Sequence, residues 1–128
     1  MTTPAQGPWR QQKGRHYEDL ALSWLQQQSL RLLQRNYRCP LGEIDLVMLD
    51  AATLVFIEVR FRADGHHGAA FETVDRRKQR KLLRSAQYFL LYHPLHALRA
   101  CRFDVLGICG NGAGSSYHWL QGAFDLGA

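Results

Sequence analysis

No stretch of roughly eighteen consecutive apolar residues occurs in the 128-residue chain, so no part of it reads as a membrane-crossing helix. The N-terminal stretch from Met1 to Arg15 lacks the apolar core of a signal peptide. Cysteine is scarce. Cys39, Cys101 and Cys109 form no Cys-x-x-Cys pair and leave an odd count, which argues against a disulfide framework and for a reducing, cytoplasmic setting. Nor does their spacing to His66, His67 or His93 match a zinc site. Acidic residues are the minority, 11 against 16 lysines and arginines, for a formal net charge of +5. That balance favours polyanionic partners and says nothing about the fold.

What is present describes an ordinary globular chain, 46% hydrophobic and 21% charged, long enough for one domain with a real core. Residues 1–14, with Pro4, Gly7, Pro8 and several glutamines, read as a flexible lead-in, leaving a domain over 15–124. Tyr17, Leu20, Ala21, Trp24 and Leu25 fall at the spacing of one buried helical stripe, so a helix is expected from about Arg15 to Gln28. Glu18 flanks that stripe on the row of Leu22 and Leu25, an unusual place for a carboxylate. Three strands follow, "LRLLQRNYR", "EIDLVML" and "LVFIEVRFR", joined by "CPLG" and "DAAT". The Gly- and His-rich "ADGHHGAA" reads as a loop. A long helix is expected from Thr73 as N-cap, with Asp75 in its first turn, to about Tyr92, ended by His93-Pro94. "CRFDVLGI" and "YHWLQGAF" complete the order α-β-β-β-α-β-β, a mixed α/β domain.

The stretch Gly42 to Arg62 carries the chemistry. Strand alternation puts Ile44, Leu46 and Met48 on one side of its first strand and Glu43, Asp45 and Val47 on the other. On its second strand Val55, Ile57, Val59 and Phe61 oppose Phe56, Glu58, Arg60 and Arg62. Each strand therefore shows an apolar and a charged face, and hairpin pairing lets Asp45 approach Glu58. Charges on a half-exposed hairpin are ordinarily a solvated face, and Glu43 and Arg62 read that way. Asp45 and Glu58 also fit a different reading. Two neighbouring carboxylates repel unless a cation lies between them, and Mg²⁺ takes a couple of carboxylates plus water and phosphate. Arg60 emerges beside them as a cation for the charge that develops on a phosphate.

Further on, Arg76, Arg77, Lys78, Arg80, Lys81 and Arg84 crowd one short helical segment with Asp75 as the acid among them. Arg77, Lys81 and Arg84 share a side, with Arg80 nearby, while Lys78 lies on the inner row of Val74, Leu82, Ala86 and Phe89. Such density exceeds what solubility requires and points to phosphate contacts. Trp24, Tyr88 and Phe89 sit at core spacings and read as packing. His66 and His67 read as exposed loop residues, and Asp104 is given no catalytic role.

Taken together, "GEIDLV", "VFIEVRFR", "KQRKLL" and "CRFDVL" resemble the YraN-type family of uncharacterised bacterial proteins, over about Gly14 to Trp119. That family is similar in fold to the restriction-endonuclease-like nucleases, notably archaeal Holliday-junction resolvases, whose motif is D…(D/E)xK with a glutamate on the first helix. The resemblance implies a single restriction-endonuclease-like domain. By that resemblance Asp45 and Glu58 are metal-binding acids for Mg²⁺ or Mn²⁺, Glu18 is the helix carboxylate, and Lys78 and Gln79 reach the edge of the site. It also implies nucleic acid, foremost structured DNA, as partner, and a homodimer by analogy. Arg60 stands where the motif has lysine, with Val59 as the x. Arginine stays protonated and cannot serve as a base, though it binds phosphate bidentately. The expectation is a metal-dependent endonuclease. The alternatives are a nucleic-acid-binding module of the same fold without turnover, and a basic adaptor for an acidic protein.

Overall fold

The two periodicities of the sequence settle into a five-stranded sheet with a helix on each face. The computed structural model describes residues 8–62, 74–110 and 114–124, with side chains from His16 onward. Helix α1 spans Pro8–Gln27, and β1 Arg31–Cys39, β2 Gly42–Asp50 and β3 Thr53–Arg62 follow. Helix α2 spans Arg76–Tyr92, a short 3₁₀ turn spans Pro94–His96, and β4 Cys101–Cys109 and β5 Ser116–Phe124 complete the order. Residues 8–14, expected in the lead-in, belong to α1. Proline suits a first helical position because the donor it lacks would be unsatisfied there anyway. Residues 1–7, the loop with His66 and His67, and Thr73 lie outside the described residues. Among the described residues no helix is long and apolar enough to cross a membrane.

Spatial order in the sheet follows chain order, β1-β2-β3-β4-β5. All neighbours are antiparallel except β3 and β4, which run parallel. Parallel neighbours need a crossover, and α2 lies within that connection. Beneath α2, Leu82, Ala86 and Phe89 pack on Val47, Leu49, Leu54, Phe56 and Phe103. On the opposite face Ala21 and Leu25 of α1 meet Leu46, Met48, Val55, Ile57 and Leu106. The central hairpin is therefore apolar on both sides. The fully charged face expected from alternation is absent between Leu46 and Ile57, because α2 covers it.

Local chemistry explains the helix ends. Ser29 adopts φ 73°, and the chain closes α1 with Ser29 N–H to Gln26 O (3.0 Å) and Leu30 N–H to Leu25 O (3.2 Å). That pair of bonds is a Schellman motif, and its hydrophobic contact is Leu30 with Leu25 in the same core cluster. At the start of α2, Asp75 is the N-cap. Its Oδ1 accepts from Lys78 N–H at 2.9 Å, so the helix begins at Arg76, later than the expected cap at Thr73.

Asp104 is the buried acid of the other half of the sheet. It accepts from Arg102 Nε (3.0 and 3.2 Å), Trp119 Nε1 (2.9 Å) and Gly122 N–H (3.0 Å). Arg102 also reaches Asp50 Oδ2 at 2.9 Å. The network ties β2, β4 and β5 together across a register shift between Phe103 and Val105. Breaking a buried, fully bonded charge leaves its partners stranded. Asp104→Ala should therefore destabilise the fold by about 3–5 kcal/mol, measured by urea denaturation. A loss below about 1 kcal/mol would remove the network from the stability of the sheet.

Candidate active site

The ladder between β2 and β3 runs from Asp50↔Thr53 to Leu46↔Ile57 and stops. At the next step the backbone N–H of Val59 donates to Asp45 Oδ2 at 2.8 Å. A side-chain carboxylate has taken the place of a strand carbonyl, so the two strands part. On its other edge β2 pairs as Arg35↔Leu46 and Tyr37↔Ile44, and between these pairs Asn36 falls opposite Asp45 with φ 51°. Asparagine tolerates that left-handed conformation better than most residues. The irregularity changes which side β2 presents. Ile44, expected with Leu46 and Met48, instead joins Tyr37 in the cluster under α2.

Asp45 and Glu58 lie together at this parting, with Glu18 of α1 near enough for its charge to act on Asp45. Glu58 of β3 is buried, 6% exposed, and its Oε2 lies 2.8 Å from Arg60 Nη2 and 3.6 Å from Lys78 Nζ of α2. Those two cations compensate its loss of water. Asp45 is less well matched. Burial first, then the charge of Glu58, and more weakly that of Glu18, push its carboxyl up to about 8, with only the Val59 N–H opposing. Glu18 of α1 lies 3.7 Å from Arg35 Nη2, which pairs at 2.7 Å with Asp19. Its Oε1 accepts no hydrogen bond although buried, and Arg60 Nε likewise donates none. An idle donor thus remains in the cluster, with an acceptor whose ion pair to Arg35 is too long for a hydrogen bond, beside an acid that lacks a counter-charge.

Asp45, Glu58, Glu18 and Arg60 are brought together, and Lys78 joins them from α2. Gln79 does not: its Nε2 donates to Val74 O at 3.0 Å, at the start of its own helix. Arg77, Arg80, Lys81 and Arg84 are exposed along α2. Glu43 pairs with Arg38 in water, as a solvated face does (3.2 Å). Asp104 lies in the separate network of β4 and β5. Sequence reasoning missed Arg35 and Asn36. An asparagine inside a strand pattern was the available signal for the second, because asparagine is depleted in regular strands.

Fold and cluster together define an α/β protein whose mixed sheet opens on one side of its central strand around two largely buried carboxylates, Asp45 and Glu58, the second of them paired with cations. The chain belongs to the Uncharacterised protein family UPF0102, whose model matches residues 17–108. Its relatives include a UPF0102 protein of Pseudomonas syringae pv. syringae (strain B728a), 50% identical over 117 residues, 91% of this chain and 95% of the relative. A UPF0102 protein of Stutzerimonas stutzeri (strain A1501) is 49% identical over 115 residues, 90% and 96% of the two chains. One of Alcanivorax borkumensis is 48% identical over 112 residues, 87% and 90%. The match takes in every residue of the cluster.

The raised Asp45 carboxyl has a thermodynamic consequence. Between its ordinary value of 3.8 and about 8 the unfolded group is ionised while the folded one keeps its proton. Folding then takes up a proton, so the stability contributed by this group is present below about pH 4 and is lost as pH rises towards 8. Asp45→Asn, which can still accept from Val59 N–H, should flatten that dependence and be more stable than wild type near pH 8. Thermal melts across the range, without divalent ions, check this. Parallel pH profiles for the two proteins would refute the buried acid.

Proposed function

We propose that the protein is a metal-dependent endonuclease that hydrolyses phosphodiester bonds in structured DNA. The observation that carries the reading is the convergence of Asp45, Glu58 and Glu18 beside Arg60 and Lys78, where β2 leaves β3. The resemblance to restriction-endonuclease-like nucleases, carried by the same residues, supports it. Among the described residues no three His, Cys, Asp or Glu side chains form a ready-made ligand set. Asp45 and Glu58 are the residues that would hold a divalent ion, and a site of two carboxylates, with water and phosphate for the rest, would suit Mg²⁺ or Mn²⁺. The uncompensated Asp45 carboxyl and the idle Glu18 Oε1 fit such a cation. When bound, the ion polarises the phosphate and lowers the pKa of its water.

The chain's own residues supply the rest. To hold a cation Asp45 would have to give up its proton, so affinity would rise with pH below about 8. Arg60, whose side chain is 28% exposed, offers its guanidinium to a phosphate oxygen, adding a charge-assisted bond that strengthens as negative charge builds. Lys78 adds a second cation beside Glu58. The exposed cations of α2 hold the flanking phosphates.

A second reading has an observation of its own. Arg60 and Lys78 already neutralise Glu58 without a metal, which suits a nucleic-acid-binding module that has lost turnover. A cleavage screen on branched, flapped, single-stranded and duplex DNA with Mg²⁺ and Mn²⁺ separates the two. The endonuclease should cut at least one branched substrate, and Asp45→Asn and Glu58→Gln should abolish cutting. Arg60→Ala should slow it by on the order of a hundred- to a thousandfold, as when one transition-state donor is removed. Binding without cleavage throughout selects the inactive module.

The basic helix has a separate test. Reversal of Arg77, Lys81 and Arg84 to Glu should weaken DNA binding and flatten its log–log salt dependence by about 0.9 for each phosphate no longer neutralised. An unchanged slope would place those cations simply in water.

A further inference from the structure

Helix α2 carries a second feature on its exposed side. Arg77, Lys81, Arg84, Tyr88 and Tyr92 follow one another at steps of four, three, four and four residues, one stripe on an α-helix. At a rise of about 1.5 Å per residue the stripe is roughly 22 Å long. Its three cations are exposed, and the helix, RRKQRKLLRSAQYFLLY, contains no acid to neutralise them.

The aromatic end is less expected. Phe89 is fully buried against Tyr37 and Phe56, as its core spacing implies. Tyr88 is only half-buried, with one edge resting on that core, and Tyr92 is 61% exposed. Their rings lie 4.7 Å apart with 42° between planes, so Tyr88, held by the core, supports an outward-facing Tyr92. Packing accounts for Phe89 and for part of Tyr88. It does not account for a large ring left in water at the end of a row of cations.

We infer that this stripe is a track for an unpaired nucleic-acid strand, its phosphates on Arg77, Lys81 and Arg84 and its bases stacked on the Tyr88–Tyr92 pair. Cations along a backbone path combined with aromatic faces are the means by which proteins hold single strands without reading sequence. A duplex offers the same phosphates but keeps its bases stacked internally, so the tyrosines favour a single strand, a flap or an open junction arm. The track starts beside the acids, because Lys78, next to Arg77, contacts Glu58 at 3.6 Å. The inference rests on the reading of that cluster as a nucleic-acid site and names the part of the substrate that leaves it.

Equilibrium binding in EDTA, with the full chain and no cleavage, tests it. The probes are a labelled oligothymidylate, an abasic oligomer of equal length and a duplex. Wild type should prefer the oligothymidylate to the abasic chain. Tyr92→Leu, at an exposed position that leaves the core untouched, should lose on the order of tenfold in oligothymidylate affinity, with its salt slope and duplex affinity unchanged. Tyr92→Trp should retain it. Equal wild-type affinity for the base-bearing and abasic chains, or wild-type affinity in Tyr92→Leu, overturns the track and leaves the hydrolase reading standing. Tyrosine-dependent binding by a protein that cuts nothing supports the track while the hydrolase reading falls. Failure to bind any polynucleotide overturns the track, and the hydrolase reading stands or falls on the cleavage screen.

Discussion

The hydrogen bond from the Val59 N–H to Asp45 Oδ2 is the constraint on which the candidate site depends. A strand donor buried in a sheet has to find an acceptor. Ordinarily the neighbouring strand supplies a carbonyl, and the ladder continues. Here a carboxylate supplies it, and the ladder ends at Leu46↔Ile57. From that substitution follow the parting of β2 from β3 and the change of side at Ile44. Asn36, left-handed on the neighbouring strand, accommodates the bend. Without the parting, Asp45 and Glu58 would be one more cross-strand pair.

The two acids of the hairpin are then treated differently by their surroundings. Glu58 has Arg60 on its own strand and Lys78 from α2, so its burial is compensated within the fold. Asp45 has one backbone donor and two like charges nearby, and holds a proton instead. Buried charge without a counter-charge costs several kcal/mol, and protonation avoids most of it. Asp104 shows the contrast. More deeply buried, it is bonded by Arg102, Trp119 and Gly122 and knits strands together.

Helix α2 links the core to the surface chemistry. Its inner row, Leu82, Ala86 and Phe89, covers one face of the sheet. That cover anchors Lys78 at Glu58 and sets the orientation of the cations and tyrosines that face water. Sheet packing and the proposed nucleic-acid contacts therefore share one element.

Much of this was legible in the sequence. Period-two runs and turn residues marked all five strands to within a residue or two, and the stripe from Tyr17 to Leu25 marked the first helix. Asp45, Glu58, Glu18 and Arg60 stood out because charged residues interrupt otherwise apolar patterns, and the resemblance grouped them. Alternation, however, is a local rule. It assigned Ile44 to the wrong side and the hairpin an exposed charged face, since it carries no information about what covers a sheet. Whether Tyr88 packs or Tyr92 protrudes depends on where the core ends, which helical spacing does not encode. By itself the sequence determined the elements, their order and the residue types available for chemistry. The tertiary structure alone decided that Val59, fourteen residues from Asp45, would take its side chain as a hydrogen-bond partner. That choice is made by contacts distant in the chain, where burial forces every donor to be satisfied.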